Sequence, residues 1–131
     1  MSITVTSRAA EAMHRAARAA HPHEACGILL GEGGRIVDFL ETANVHPDPL
    51  SHFEIDPQAL IDAHRAARDG GPDVLGYFHS HPGGLARPSA TDSEMACGDG
   101  RVWAIWGEGS LAFFRAGKAG FEALSTAMID G

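Results

Sequence analysis

With 131 residues and 44% hydrophobic content, the chain is long enough for one domain with a continuous core. Ten basic residues scattered against seventeen acidic ones give a formal charge of −7, which argues against a nucleic-acid partner. No apolar run approaches the roughly 18 residues of a membrane span, and the start lacks the roughly 7–15-residue apolar core of a signal peptide, so the expectation is a cytoplasmic protein without membrane association.

Taken in chain order, residues 3–5 read as a short strand and residues 7–20 as a helix. That segment is rich in arginine and alanine, as transit peptides are, yet Ala9, Met13, Ala16 and Ala20 form a stripe at helical spacing that can pack on a sheet, so an integral first helix is expected. Residues 25–30 are a strand that turns through Gly31-Glu32-Gly33-Gly34 into a second strand over 35–45. A loop carrying Pro47 and Pro49 leads to a short strand at 53–55, then to a helix over 57–68 that starts on a proline and stops at Gly70-Gly71-Pro72. A buried strand over 74–79 follows. Residues 101–106 and 111–115 form a hairpin around Gly107-Glu108-Gly109, and residues 121–124 add an edge strand. The fold class expected is a single α/β domain over residues 1–131, a mixed curved sheet flanked by helices.

The chemistry concentrates in Gly76-Tyr77-Phe78-His79-Ser80-His81-Pro82 and Pro88-Ser89-Ala90-Thr91-Asp92. Side chains two apart on a strand share a face, so His79 and His81 emerge together while Ser80 points away in a structural role. Pro82 ends the ladder. Ser89 is placed as the N-cap of a short helix with a carboxylate three residues on, which would hold Asp92 rigidly toward the two imidazoles. Two neutral imidazoles and one carboxylate suit zinc and leave a fourth position for water, as a catalytic site requires. A hydrolase then needs a general base, and Glu24, at the mouth of the apolar run Cys26-Gly27-Ile28-Leu29-Leu30-Gly31, is the candidate.

Glu24 before that run, then His79-Ser80-His81-Pro82, then Pro88-Ser89-Ala90-Thr91-Asp92, resembles the JAMM signature of the MPN-plus metalloproteases in order and spacing. With Asn44 and Phe53-Glu54-Ile55-Asp56-Pro57, the resemblance spans residues 3–115 and fits the small prokaryotic members. It implies an MPN/JAMM-like fold with cytidine-deaminase-like layering and one zinc per chain on His79, His81 and Asp92. It also implies that Glu24 handles the protons of the zinc-activated water and that Ser89 stabilises the oxyanion. The implied reaction is hydrolysis of a peptide or isopeptide bond, and the implied substrate is the C-terminal tail of a ubiquitin-like or sulfur-carrier protein. A homodimer stays open.

Three other classes compete. A non-catalytic MPN-type binding module would share the fold, but such members typically lack the metal set that is intact here. A non-haem iron oxygenase also uses two histidines and a carboxylate, in the usual order His-x-Asp with a later His. DNA-repair-associated bacterial relatives carry an extra DNA-binding domain for which this chain has no room. The zinc-deaminase pattern is absent.

His14, His21, His23, His46, His52 and His64 have no comparable spacing and read as surface or packing residues, His23 beside Glu24 being the one of interest. Cys26 and Cys97 lack C-x-x-C spacing. Cys26 reads as a small buried residue, and no disulfide is expected.

Overall fold

The computed structural model describes residues 2–131. Strand β1 (Ser2–Thr6) runs directly into helix α1 (Ser7–Ala20), with Thr6 as N-cap: its hydroxyl oxygen accepts the Ala9 N–H at 3.2 Å. The expected stripe is buried at Ala9, Met13 and Ala16 and widened by Ala10 and Ala17, while Ala20 is partly buried at its rim. Strands β2 (Cys26–Glu32) and β3 (Arg35–Thr42) form the anticipated hairpin. Helix α2 (Pro57–Arg68) is capped by Asp56, whose side chain accepts the Gln58 N–H.

Strand β4 (Asp73–His81) continues two residues beyond His79, so both motif histidines lie within the ladder. The six-residue helix α3 (Ala90–Met95) and strands β5 (Val102–Gly107), β6 (Ser110–Gly117), β7 (Gly120–Ala123) and β8 (Ser125–Ile129) complete the chain. All eight strands join one mixed sheet in the order β7-β6-β5-β4-β2-β3-β1-β8, with register shifts in β2 opposite both β3 and β4. Such irregularities bend and twist a ladder. The metal-motif strand β4 is therefore interior, paired antiparallel with β2 and parallel with β5.

Alternation along the strands divides the core. Leu29 and Phe78 pack with Met13, Val5 and Phe39 on the α1 side. Cys26, Ile28 and Trp103 pack with Phe53, Ile55 and Ala63 on the α2 side.

One expectation needs correction, and one strand has no counterpart in the sequence reading. Residues 53–55 form no strand; only an isolated bridge joins Ile55 to Asn44. The Asn44 side chain itself accepts the Glu54 N–H and donates to the His52 carbonyl, which occupies groups a ladder would use. Strand β8 is the second difference: it lies parallel to β1 at the sheet edge, with Ser2 opposite Ser125 and Thr6 opposite Ile129.

Candidate metal centre

His79 and His81 reach one face of β4, and Asp92 comes to them from α3. His79 Nε2 lies 3.0 Å from His81 Nε2 and 3.1 Å from an Asp92 carboxylate oxygen, and His81 Nε2 lies 3.1 Å from Asp92 Oδ2. Three donors bound at about 2.0–2.1 Å around a tetrahedral ion stand roughly 3.3 Å apart, so this triangle needs little adjustment to hold one. Two imidazoles with a carboxylate fit a borderline-soft ion such as zinc better than magnesium or calcium, which take oxygen donors.

Neighbouring groups hold these side chains and their strand in place. Ser80, on the opposite face, accepts the Ala25 N–H on its Oγ at 2.8 Å, the structural role expected of it; this ties β4 to the residue beside Glu24. His81 Nδ1 faces the Leu85 carbonyl at 2.9 Å. A carbonyl only accepts, so Nδ1 carries a proton, and Nε2 is the nitrogen that would present its lone pair to a bound metal. Asp92 is fixed by a capping box: Ser89 Oγ accepts the Asp92 N–H at 3.1 Å, and the Ser89 N–H donates to Asp92 Oδ2 at 2.9 Å.

The electrostatics follow from burial and proximity. Burial lowers the His79 pKa, against the opposing pull of Asp92, and keeps this imidazole neutral. Burial also pulls His81 down, but its hydrogen bonds to Asp92 and Leu85 and the charges of Asp92 and Glu24 leave it above its ordinary value. For Asp92, burial pushes upward and is outweighed by the hydrogen bonds from His79, His81 and the Ser89 backbone, which hold it well below the usual carboxylate range.

Glu24 lines the same cleft as His81 and Ser89, a space of about 550 Å³ that also includes Leu50, Ser51, Leu85 and Arg87. It is 7% exposed, and burial, with a smaller push from Asp92 against a pull from His81, raises its carboxyl to about 7. Its backbone is held from the loop over residues 43–56: the Glu24 N–H donates to the Pro49 carbonyl at 2.7 Å, and Asn44 Nδ2 donates to the Glu24 carbonyl at 3.0 Å.

All five sequence-predicted residues, His79, His81, Asp92, Glu24 and Ser89, thus border one site. The sequence reading did not single out Leu50, Ser51, Leu85 or Arg87. The Leu85 contribution is a backbone carbonyl, which leaves no side-chain signal. His14 accepts a hydrogen bond from Trp106 Nε1 at 2.9 Å, as a packing residue would, and His23 is exposed away from the cleft lining.

His46, Asp48 and His52 form a second group of donors. There the two rings stack nearly parallel at 4.7 Å and His46 Nδ1 accepts the Asp48 N–H, so their lone pairs do not converge. Both cysteines are free, Cys26 buried and Cys97 exposed. No helix among the described residues is long and apolar enough to cross a membrane.

Comparison with known proteins identifies related sequences and folds. A desampylase from Haloferax volcanii is 37% identical over 86 residues, covering 64% of this chain and 62% of that protein. A probable TtuB-protein conjugate cleaving protease from Thermus thermophilus is 41% identical over 71 residues, 53% of this chain and 48% of its own length. The chain therefore matches about half to three fifths of the length of these relatives. A solution structure of a protein from Desulfitobacterium hafniense superposes with a TM-score of 0.84 at 31% identity, covering 98% of this chain and 94% of that one. A JAB1/MPN domain protein from Archaeoglobus fulgidus shares the fold, with a TM-score of 0.63 at 21% identity over 95% of this chain and 99% of its own. The model of the prokaryotic homologs of the JAB domain matches residues 6–117, a span that holds every residue of the cleft just described, and the chain belongs to that family.

Proposed function

We propose that this chain is a zinc-dependent peptidase or isopeptidase that cleaves at the C-terminal tail of a ubiquitin-like or sulfur-carrier protein, with residues 1–131 as one catalytic domain. The observation that carries the reading is the triangle of His79, His81 and Asp92 donors, 3.0–3.1 Å apart, at the wall of a cleft shared with the buried Glu24 carboxyl. The name of the Thermus thermophilus relative, a conjugate cleaving protease, supports the substrate class.

One zinc per chain, held by His79, His81 and Asp92, would supply Lewis-acid polarisation and a water acidified to a pKa of about 7. Glu24 takes a proton from the attacking water and returns it to the leaving amine, a two-way role suited to a carboxyl near neutrality. Ser89 Oγ spends a lone pair on the Asp92 N–H, which leaves its hydroxyl hydrogen free to donate to a developing oxyanion. The substrate tail lies extended along the cleft lined by Leu50, Ser51, Leu85, Arg87 and Pro88. A cytoplasmic setting belongs to the same proposal and is supported by the two free thiols.

The test incubates untagged protein of known metal content with carriers bearing short C-terminal extensions, read by intact mass. Wild type should carry about one zinc and release the extension. Glu24→Gln should keep the zinc and lose turnover by about 10²-fold or more, and His79→Ala should lose both. One zinc per chain without cleavage of any carrier would favour the non-catalytic binding module instead.

A further inference from the structure

The two histidine ligands are held in different ways. The strand fixes where each Cβ points, but rotation of an imidazole about its last torsion is soft, and a metal needs the ring plane aligned with the bond. His81 meets this through its Nδ1 bond to Leu85. His79 has no such bond: its Nδ1 is buried and has no hydrogen-bond partner among the described residues, although the residue is fully buried. Histidine ligands ordinarily pass that proton to a neighbouring acceptor, and no protein group among the described residues takes it here, so the packing around the ring is what the protein itself supplies to orient it.

Aromatic side chains surround it. The Phe53 ring stacks on His79 with centroids 4.3 Å apart and planes 11° from parallel. Trp103 stands perpendicular to His79 at 5.6 Å and meets Phe53 edge to face at 5.9 Å. Trp103 is braced in turn by Phe121 at 5.1 Å. Turning the imidazole out of its plane would drive its edge into the Phe53 face. Phe53 is held at both neighbours by one side chain: Asn44 donates to the His52 carbonyl at 2.9 Å and accepts the Glu54 N–H at 3.0 Å, and the same Asn44 holds the Glu24 carbonyl.

We infer that Phe53 is a positioning residue for the metal: its stacked ring, backed by Trp103 and fixed by Asn44, sets the plane of the His79 imidazole in place of the missing hydrogen bond. The inference rests on the metal-site reading above. It also accounts for an aromatic residue in a segment that forms no strand. An imidazole made electropositive by a bound cation gains further from the negative face of the phenyl ring.

The test measures metal affinity directly, by competition of the intact protein with a chromophoric chelator for Zn²⁺ and by the visible spectrum of the Co²⁺-loaded protein. Phe53→Leu removes the flat face at modest volume change. Phe53→Met carries the same expectation and serves if the leucine variant does not fold. Phe113→Leu, a buried core change on the α1 side, is the control for general loosening. The expected result is zinc binding weakened by about 10–100-fold in the Phe53 variants, with an altered Co²⁺ spectrum, while Phe113→Leu binds as wild type does. Wild-type affinity and spectrum in folded Phe53 variants would overturn the inference and leave the metal site standing. Equal weakening in Phe113→Leu would also overturn it, by showing a generic effect of core loss. A wild-type protein that binds no zinc would overturn the metal-site reading and the inference with it.

Discussion

Glu24 shows how one residue carries both a cost and a use. Its carboxyl is pushed up to about 7 by burial, whereas the same group in an unfolded chain ionises near 4.3, an ordinary glutamate value. At pH below the unfolded value both states hold the proton and burial costs nothing in this respect. As the pH rises through that value toward 7, unfolding releases the proton, and stability is lost. The metal-free Glu24→Gln protein should therefore melt with wild type near pH 4 and a few degrees above it near pH 8, read by thermal unfolding in chelator. Ser89 can be divided in the same manner. Removing its hydroxyl in Ser89→Ala deletes the cap on Asp92, at about 1 kcal/mol of stability, and, on the proposed mechanism, an oxyanion donor, at about 10²-fold in kcat. A stability loss with normal kcat would reduce Ser89 to its cap. The cap is local, a serine three positions before an aspartate, and was legible from that pattern. Glu24 showed only as a carboxylate at the mouth of an apolar strand, since its burial beside His81 and its backbone bonds to Pro49 and Asn44 come from distant segments.

At the scale of elements, the metal strand and its neighbour β5 set the cleft. His81 pairs with Gly107 across the parallel ladder. A Cβ placed on Gly107 would lie 2.5 Å from the Gly84 oxygen and 2.6 Å from the Ala86 nitrogen, so the loop after β4 rests directly on that bare backbone. Gly107→Ala should push this loop away, break the His81–Leu85 bond and weaken zinc binding about tenfold or more, measured by chelator competition; unchanged affinity would show that the loop yields without moving Leu85. Arg87 sits on the same loop and is the one guanidinium among the described residues that lines the cleft. Arg87→Gln should raise KM for carriers with an acidic residue near the cleavage point more than it lowers kcat, in steady-state assays. The sequence could announce Gly107 only as a turn residue, because its crowding comes from a segment more than twenty positions away. Most elements were readable because their signals are local: the helical stripe of α1, the Pro57 start of α2, the glycine turn between β5 and β6. Strand β8 was not, since it is exposed at most positions, shows no alternation, and owes its existence to a parallel partner at the other end of the chain.

For the molecule as a whole, a metal that binds only the folded state adds stability by mass action, about 4 kcal/mol at a free concentration a thousandfold above Kd. Excess chelator should therefore lower the melting temperature of the loaded protein by several degrees, and His79→Ala should show no such response. The site lies on an interior strand, with three strands on one side and four on the other, and β1 and β8 are separated from it by β2 and β3. The constellation was legible because three motifs converge through the sheet, whereas the groups that hold it, the Leu85 carbonyl, the Asn44 amide and the Phe53 ring, act through contacts that no local spacing encodes. One of these has a reach beyond its own position. The Leu85 carbonyl accepts both the His81 Nδ1–H and the Arg87 N–H, each at 2.9 Å, so its two lone pairs are both committed. Displacing this carbonyl would loosen the His81 ring and the Arg87 turn together. On the proposed mechanism, metal binding at His81 and substrate binding along this side of the cleft would therefore share one carbonyl, and any coupling between them acts equally in both directions.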